Sequence, residues 1–102
     1  MLLAVDQVPP GRVVSYGDLG ALVGAGPRQV GQIMARHGHL TNWWRVTNHV
    51  GELTVLDQAR EHWAAEGIEV LAHGRGCSIR DYRADLVRLA ADFVAAGGSV
   101  RD

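Results

Sequence analysis

Cysteine is nearly absent: Cys77 is the only one in 102 residues, which rules out a disulfide-stapled scaffold. No Cys/His group has metal-ligand spacing, a usage that fits a reducing cytoplasm. Lysine is missing altogether, since all ten basic residues are arginine. Positive charge therefore rests on planar, bidentate, stacking guanidinium groups, although a GC-rich genome is the simpler cause of that bias. No apolar run reaches membrane-spanning length and the start MLLAVDQVPPGR has no charged n-region, so neither a spanning helix nor a signal peptide is expected. A net charge of −1 argues against nucleic-acid binding driven by electrostatics alone. Aromatic residues make up only 6% of the chain, yet two of its three tryptophans stand together in NWWRVTN, Asn42 to Asn48.

The length suits one domain, 1–102, with a modest core. LLAVDQV reads as the end of a helix stopped by Pro9-Pro10-Gly11. Ser15 opens SYGD, a variant of the capping box, and the helix from Tyr16 buries Leu19, Leu22 and Val23 before ending at Gly24. Pro27 starts a second helix, PRQVGQIMAR, with Val30, Ile33 and Met34 as its apolar stripe and Arg28, Gln29, Gln32 and Arg36 outside it. Two short helices joined by a glycine turn, the second with an Arg/Gln face, match a helix-turn-helix, and equally any short helical hairpin.

NWWRVTN is expected to be a strand, with His49 to Leu53 as a turn and return strand. A third helix runs from Leu56 to Glu66 on a Leu56/Ala59/Trp63 face, with Gly67 as its stop. IEVL and CSIRDY, on either side of His73-Gly74-Arg75-Gly76, read as a hairpin with Cys77 on one strand. A C-terminal helix within 83–98 uses Leu86, Leu89, Ala90 and Phe93. The class is α+β and mainly helical, a winged-helix-like helix-turn-helix domain with short strands and an extra C-terminal helix.

VPPGRVVSYGDLGALVG, then GPRQVGQIM, then WWRV, together resemble the DNA-binding domain of O6-alkylguanine-DNA alkyltransferases, whose corresponding pieces read IPxGxVxTYGxIA, ARxVGxAM and PCHRV. The likeness is strong from Val8 to Asn48 and weaker to Tyr82. Two departures stand out. Asn42 replaces the motif's proline, and the Tyr16–Arg28 segment is two residues shorter. The resemblance sets the family's nucleophilic cysteine at Trp43 and its activating histidine at Trp44. Alkyl transfer needs a thiolate and a base to form it, so the resemblance implies no enzyme. Cysteine replaced by tryptophan marks the alkyltransferase-like proteins, which bind O6-alkylguanine without repairing it.

That resemblance implies the roles of particular residues. Arg28 would be the arginine finger that fills the gap left by the flipped base, where without the resemblance it is a solvated helix-start residue. Tyr16 would push the target's 3′ phosphate. Ser15, Gln29 and Gln32 belong to the same DNA-facing group, entering the minor groove. Trp43 would wall the lesion pocket. Trp44 could line it or pack in the core. Leu53, Thr54 and Val55 would contact the flipped base, with a plain surface turn as the alternative, and Glu66 would be a vestigial acid. The implied protein is a monomeric, cytoplasmic, nucleoid-associated sensor without cofactor. Its partners would be double-stranded DNA containing O6-alkylguanine and nucleotide-excision repair proteins. A helix-turn-helix transcription regulator or general DNA-binding protein is the rival reading, and an enzyme using Cys77 as acceptor a third.

Overall fold

Turn residues and caps divide the chain into short helices around one small sheet. The structure, a computed structural model, describes residues 1–99. Helix α1, Leu2–Asp6, buries Ala4 and Val5, and the chain then passes the prolines. Strand β1, Val14–Ser15, pairs in parallel with β2, Val46–Thr47, setting Val14 beside Val46 and Ser15 beside Thr47. Parallel neighbours need a long crossover, and helices α2, Tyr16–Val23, and α3, Pro27–His37, supply it.

Ser15 starts α2 by a reciprocal capping box. Its hydroxyl accepts from the Asp18 N–H at 3.0 Å, and Asp18 accepts from the Ser15 N–H at 3.0 Å. Gly24 ends the helix in the left-handed region at φ 79°. At Gly20 the turn between α2 and α3 comes so close that a Cβ would lie 2.2 Å from the Ala25 carbonyl oxygen. On α3, Val30 is fully buried, and Ile33 and Met34 are half-buried beside it.

Three strand expectations need correction. NWWRVTN is not a strand: Trp43–Arg45 coil into a 3-10 turn, and only Val46–Thr47 extend. Strand propensity gives way here because Arg45 is drawn inward to partners far along the chain. His49 to Leu53 does not form a return strand. The Asn48 side chain accepts from the Val50 and Glu52 N–H groups and curls the segment into a turn. The IEVL/CSIRDY hairpin does not form either. Ser78 caps a short helix α5, Ile79–Tyr82, and the Cys77 N–H donates to Gly51 instead of to IEVL.

Helix α4, Leu56–Glu66, buries Leu56, Ala59 and Trp63 and stops at Gly67, φ 79°, as expected. Helix α6, Leu86–Ala95, is capped by Asp85 and buries Leu89 and Phe93 against α1 and α2. Leu86, expected on that buried stripe, is 39% exposed because the first turn of α6 stands clear of the core. Two apolar clusters result: one joins α1, α2, α3, the sheet and α6, and the other gathers around α4 with Val13, Leu53, Ile68 and Cys77. The class is α+β and mainly helical. No helix among the described residues is long and apolar enough to cross a membrane.

Candidate functional site

A cavity of about 430 Å³ opens between α3, the Trp43 turn and the start of α4. Its position follows from the local structures just described. The cap at Ser15 places Tyr16 at one edge, and α3 contributes Gly31, Met34 and Ala35. Gly38 lets the Trp43 turn close against α3: a Cβ there would lie 3.4 Å from the Trp43 Cβ and 3.3 Å from the Met34 Cε. Leu53, Thr54 and Val55 form the wall facing Trp43. The lining holds no carboxylate, lysine or arginine among the described residues; its polar groups include Tyr16, His39, Thr54 and Gln58. Such a site suits a flat, mostly apolar guest with a few hydrogen-bonding edges.

The 3-10 turn settles where the two neighbouring tryptophans go. Trp43 lines the cavity, whereas Trp44 stands behind it. The Trp44 ring lies flat on His62, with centroids 3.8 Å apart and planes 9° from parallel, and the Arg45 guanidinium carbon is 5.2 Å from its centroid. Trp43 packs edge-on against both Trp44 and His62, at 5.9 and 5.8 Å. The cavity's aromatic wall is thus fixed by a second layer of rings.

Glu66 anchors that layer. It accepts from the Trp44 indole N–H at 2.9 Å, from Arg45 Nε and Nη2 at 3.1 and 2.6 Å, and from the Gly11 N–H at 2.9 Å. The Arg45 and Glu66 side chains are only 10% and 11% exposed, and Arg45 also donates to the Val8 carbonyl at 3.0 Å. Burial alone would raise the Glu66 carboxyl, but the hydrogen bonds from Arg45, Gly11 and Trp44, with the charge of Arg45, hold it below the usual carboxylate range. The acid expected as a leftover therefore has a structural task. It orients the indole that occupies the expected histidine position.

Among the residues expected to face DNA, Arg28, Gln29 and Gln32 lie exposed on α3. Arg28 makes no hydrogen bond or ion pair among the described residues, unlike the tied Arg45 and Arg83. The α3 N-terminus has no side-chain cap, which leaves its first N–H groups to an outside acceptor. Ser15 departs from this group: it is buried and its hydroxyl serves the α2 cap. Tyr16 is half-buried, and burial raises its phenol above the ordinary value. Cys77 is fully buried, and burial pushes its thiol up to about 11, so it carries little thiolate near neutrality. No metal-holding group of His, Cys, Asp and Glu occurs among the described residues.

Sequence reasoning missed His62, Met34 and Gln58 at or behind the cavity. Met34 had the helical period of a core residue, and nothing local in AREHW sets His62 apart from a solvated position.

Residues 1–69 match the family model described as 6-O-methylguanine DNA methyltransferase, DNA binding domain. Two curated relatives, from Escherichia coli (strain K12) and Shigella flexneri, are each called DNA base-flipping protein. Each is 34% identical over 79 residues, 70% of this chain. The chain spans 61% of the length of each of these relatives. Among solved structures, S. pombe Atl1 in complex with damaged DNA containing O6-carboxymethylguanine matches with a TM-score of 0.69 at 25% identity, covering 82% of this chain and 92% of that one.

Proposed function

The chain belongs to the family of the 6-O-methylguanine DNA methyltransferase DNA-binding domain, and from that membership we propose that it is a non-catalytic sensor of O6-alkylguanine in DNA. One observation carries the reading: a tryptophan, not a thiol, forms the wall of a base-sized cavity directly beside a helix whose exposed Arg28 has no hydrogen-bond or ion-pair partner among the described residues. The names of the relatives, base-flipping proteins and a protein bound to damaged DNA, point the same way.

In this mechanism α3 enters the minor groove and its free N–H groups meet phosphate. The alkylated guanine rotates out of the stack at a cost of a few kcal/mol, less than for a well-paired base. Tyr16, at the cavity edge, guides the 3′ phosphate, and Arg28 fills the vacated space by stacking and hydrogen bonding. The base then lies between Trp43 and the Leu53–Val55 wall, with Gln29 and Gln32 along the groove. No step forms or breaks a covalent bond, because an indole offers no comparable nucleophile and the Cys77 thiol is sealed in the core. The bound protein, acting as a monomer in the cytoplasm, marks the site for nucleotide-excision repair.

Titration of a duplex carrying O6-methylguanine against the same duplex with guanine, followed by tryptophan fluorescence, tests the reading. Clear preference for the lesion, lost in Arg28→Ala and weakened in Tyr16→Ala, is expected. Equal affinity for both duplexes, set by base sequence, would instead favour a transcription regulator, and an alkyl-group mass gain on the protein would favour an enzyme.

A further inference from the structure

The His73-Gly74-Arg75-Gly76 turn does not join two strands, yet it makes close backbone contacts with the segment that walls the cavity. The Leu53 N–H donates to the Arg75 carbonyl at 3.1 Å, and the Cys77 N–H donates to the Gly51 carbonyl at 3.0 Å. Glu52 and Gly76 form a single antiparallel bridge between these bonds. The crossing is too tight for side chains. A Cβ on Gly76 would lie 2.1 Å from the Gly51 oxygen, and one on Gly51 would lie 2.3 Å from the Cys77 oxygen. Gly51 also sits at φ 85°, in the left-handed region. One side-chain link completes the crossing: Arg75 Nε donates to Glu52 at 3.2 Å.

Leu53, Thr54 and Val55 follow the crossing directly, and they are the cavity wall opposite Trp43. Asn48 shapes the segment from within, β2 and α4 hold its two ends, and the crossing adds an anchor at its middle, directly before Leu53. We propose that Arg75 and Gly76 are positioning residues for the cavity: they hold Leu53–Val55 at the spacing from Trp43 that separates an alkylated guanine from guanine. This rests on the sensor reading above. Arg75 acts through Glu52 and through its own carbonyl, not by touching the base. It lines a second cleft of about 320 Å³, which shares Tyr16, Leu53 and Thr54 with the cavity. A direct phosphate contact is therefore the competing role that the experiment has to separate.

The experiment compares Arg75→Ala, Glu52→Gln, their double variant and Gly76→Ala with the unaltered protein. Three quantities are read: the ratio of affinities for O6-methylguanine and guanine duplexes, the salt dependence of binding, and hydrogen exchange at the Leu53 amide. Arg75→Ala should lower the affinity ratio roughly two- to fivefold, the range open to an exposed ion pair. Its affinity for the undamaged duplex and its salt slope should stay unchanged, and Leu53 exchange should quicken. Glu52→Gln should reproduce the loss, and the double variant should add nothing further. Gly76→Ala should lower the ratio by roughly tenfold or more, since backbone and not a flexible side chain must move. If that variant does not fold, Arg75→Ala decides, because its side chain is mostly exposed.

An unchanged ratio in Arg75→Ala alongside faster Leu53 exchange would overturn the proposal, because the wall would then have moved without effect. A salt slope reduced by about one would also overturn it, by making Arg75 a phosphate contact. If the unaltered protein shows no lesion preference, the sensor reading fails. The exchange measurement still separates the two: faster exchange in Arg75→Ala supports the positioning role of the crossing, and unchanged exchange overturns that as well.

Discussion

At the scale of single residues, Glu66 is the most connected side chain behind the cavity. It holds the Trp44 indole and the Arg45 guanidinium at once, so its loss exposes both. Glu66→Ala leaves Arg45 buried without its counter-charge, and urea unfolding should show a loss of about 3–5 kcal/mol. Trp44→Phe removes one donor while three remain, and the same measurement should show about 1–2 kcal/mol. The acid side of the stability profile follows from the same group. Burial raises Asp18 too, but the hydrogen bonds from Arg83 and Ser15 and the charge of Arg83 outweigh it, so both carboxyls titrate below their unfolded values. A depressed folded-state value means the unfolded chain takes up protons first. Stability is therefore complete above the ordinary carboxylate range, near 4.3 for Glu, and is lost as pH falls through the lower folded-state values. Thermal unfolding against pH should show that acid loss, and Glu66→Ala should flatten it.

The elements show which features local chemistry can specify. The α2–α3 pair is legible because each of its signals is local: the Ser15/Asp18 box, Gly24 as stop and, three residues on, Pro27 as start. What the sequence did not show was why residue 20 is glycine. Gly20→Ala drives a methyl group into the Ala25 carbonyl, which must part the two helices and cost about 1–3 kcal/mol. The same shift would move Arg28 relative to the cavity, so lesion binding should fall more than binding to undamaged duplex in a paired titration. The compositions of the Trp43–Arg45 turn and of α5 favour extended chain. Arg45 and Ser78 then found partners that only a coiled backbone can reach.

Over the whole molecule, α6 closes the first apolar cluster against α1 and lies outside residues 1–69, the part that matches the family. Phe93→Ala should destabilise the fold by about 3–5 kcal/mol. Deleting residues 87–102 should lower the melting temperature by more than that single change. An unaltered melting temperature after the deletion would show that α6 merely rests on a core complete without it. The cavity lies between the two clusters, lined by Tyr16, Met34 and Val46 of the first and Trp43 and Leu53 of the second, and no residue of α6 lines it. Lesion preference in the Phe93 variant, measured at a temperature where it stays folded, should therefore match that of the unaltered chain.

The sequence by itself determined α2, α3 and α4 with their start or stop residues, and the order of the family motifs. Each of these depends on residue type or on neighbours a few positions apart. Tertiary structure alone decided that Trp43 faces the cavity and Trp44 turns away to Glu66, 22 residues later. It also decided that the glycine turn at 74–76 pins the facing wall instead of closing a hairpin. The reason is energetic: a buried arginine, a buried carboxylate and an indole N–H must all be satisfied together. The partners that satisfy them meet only once the helices have packed.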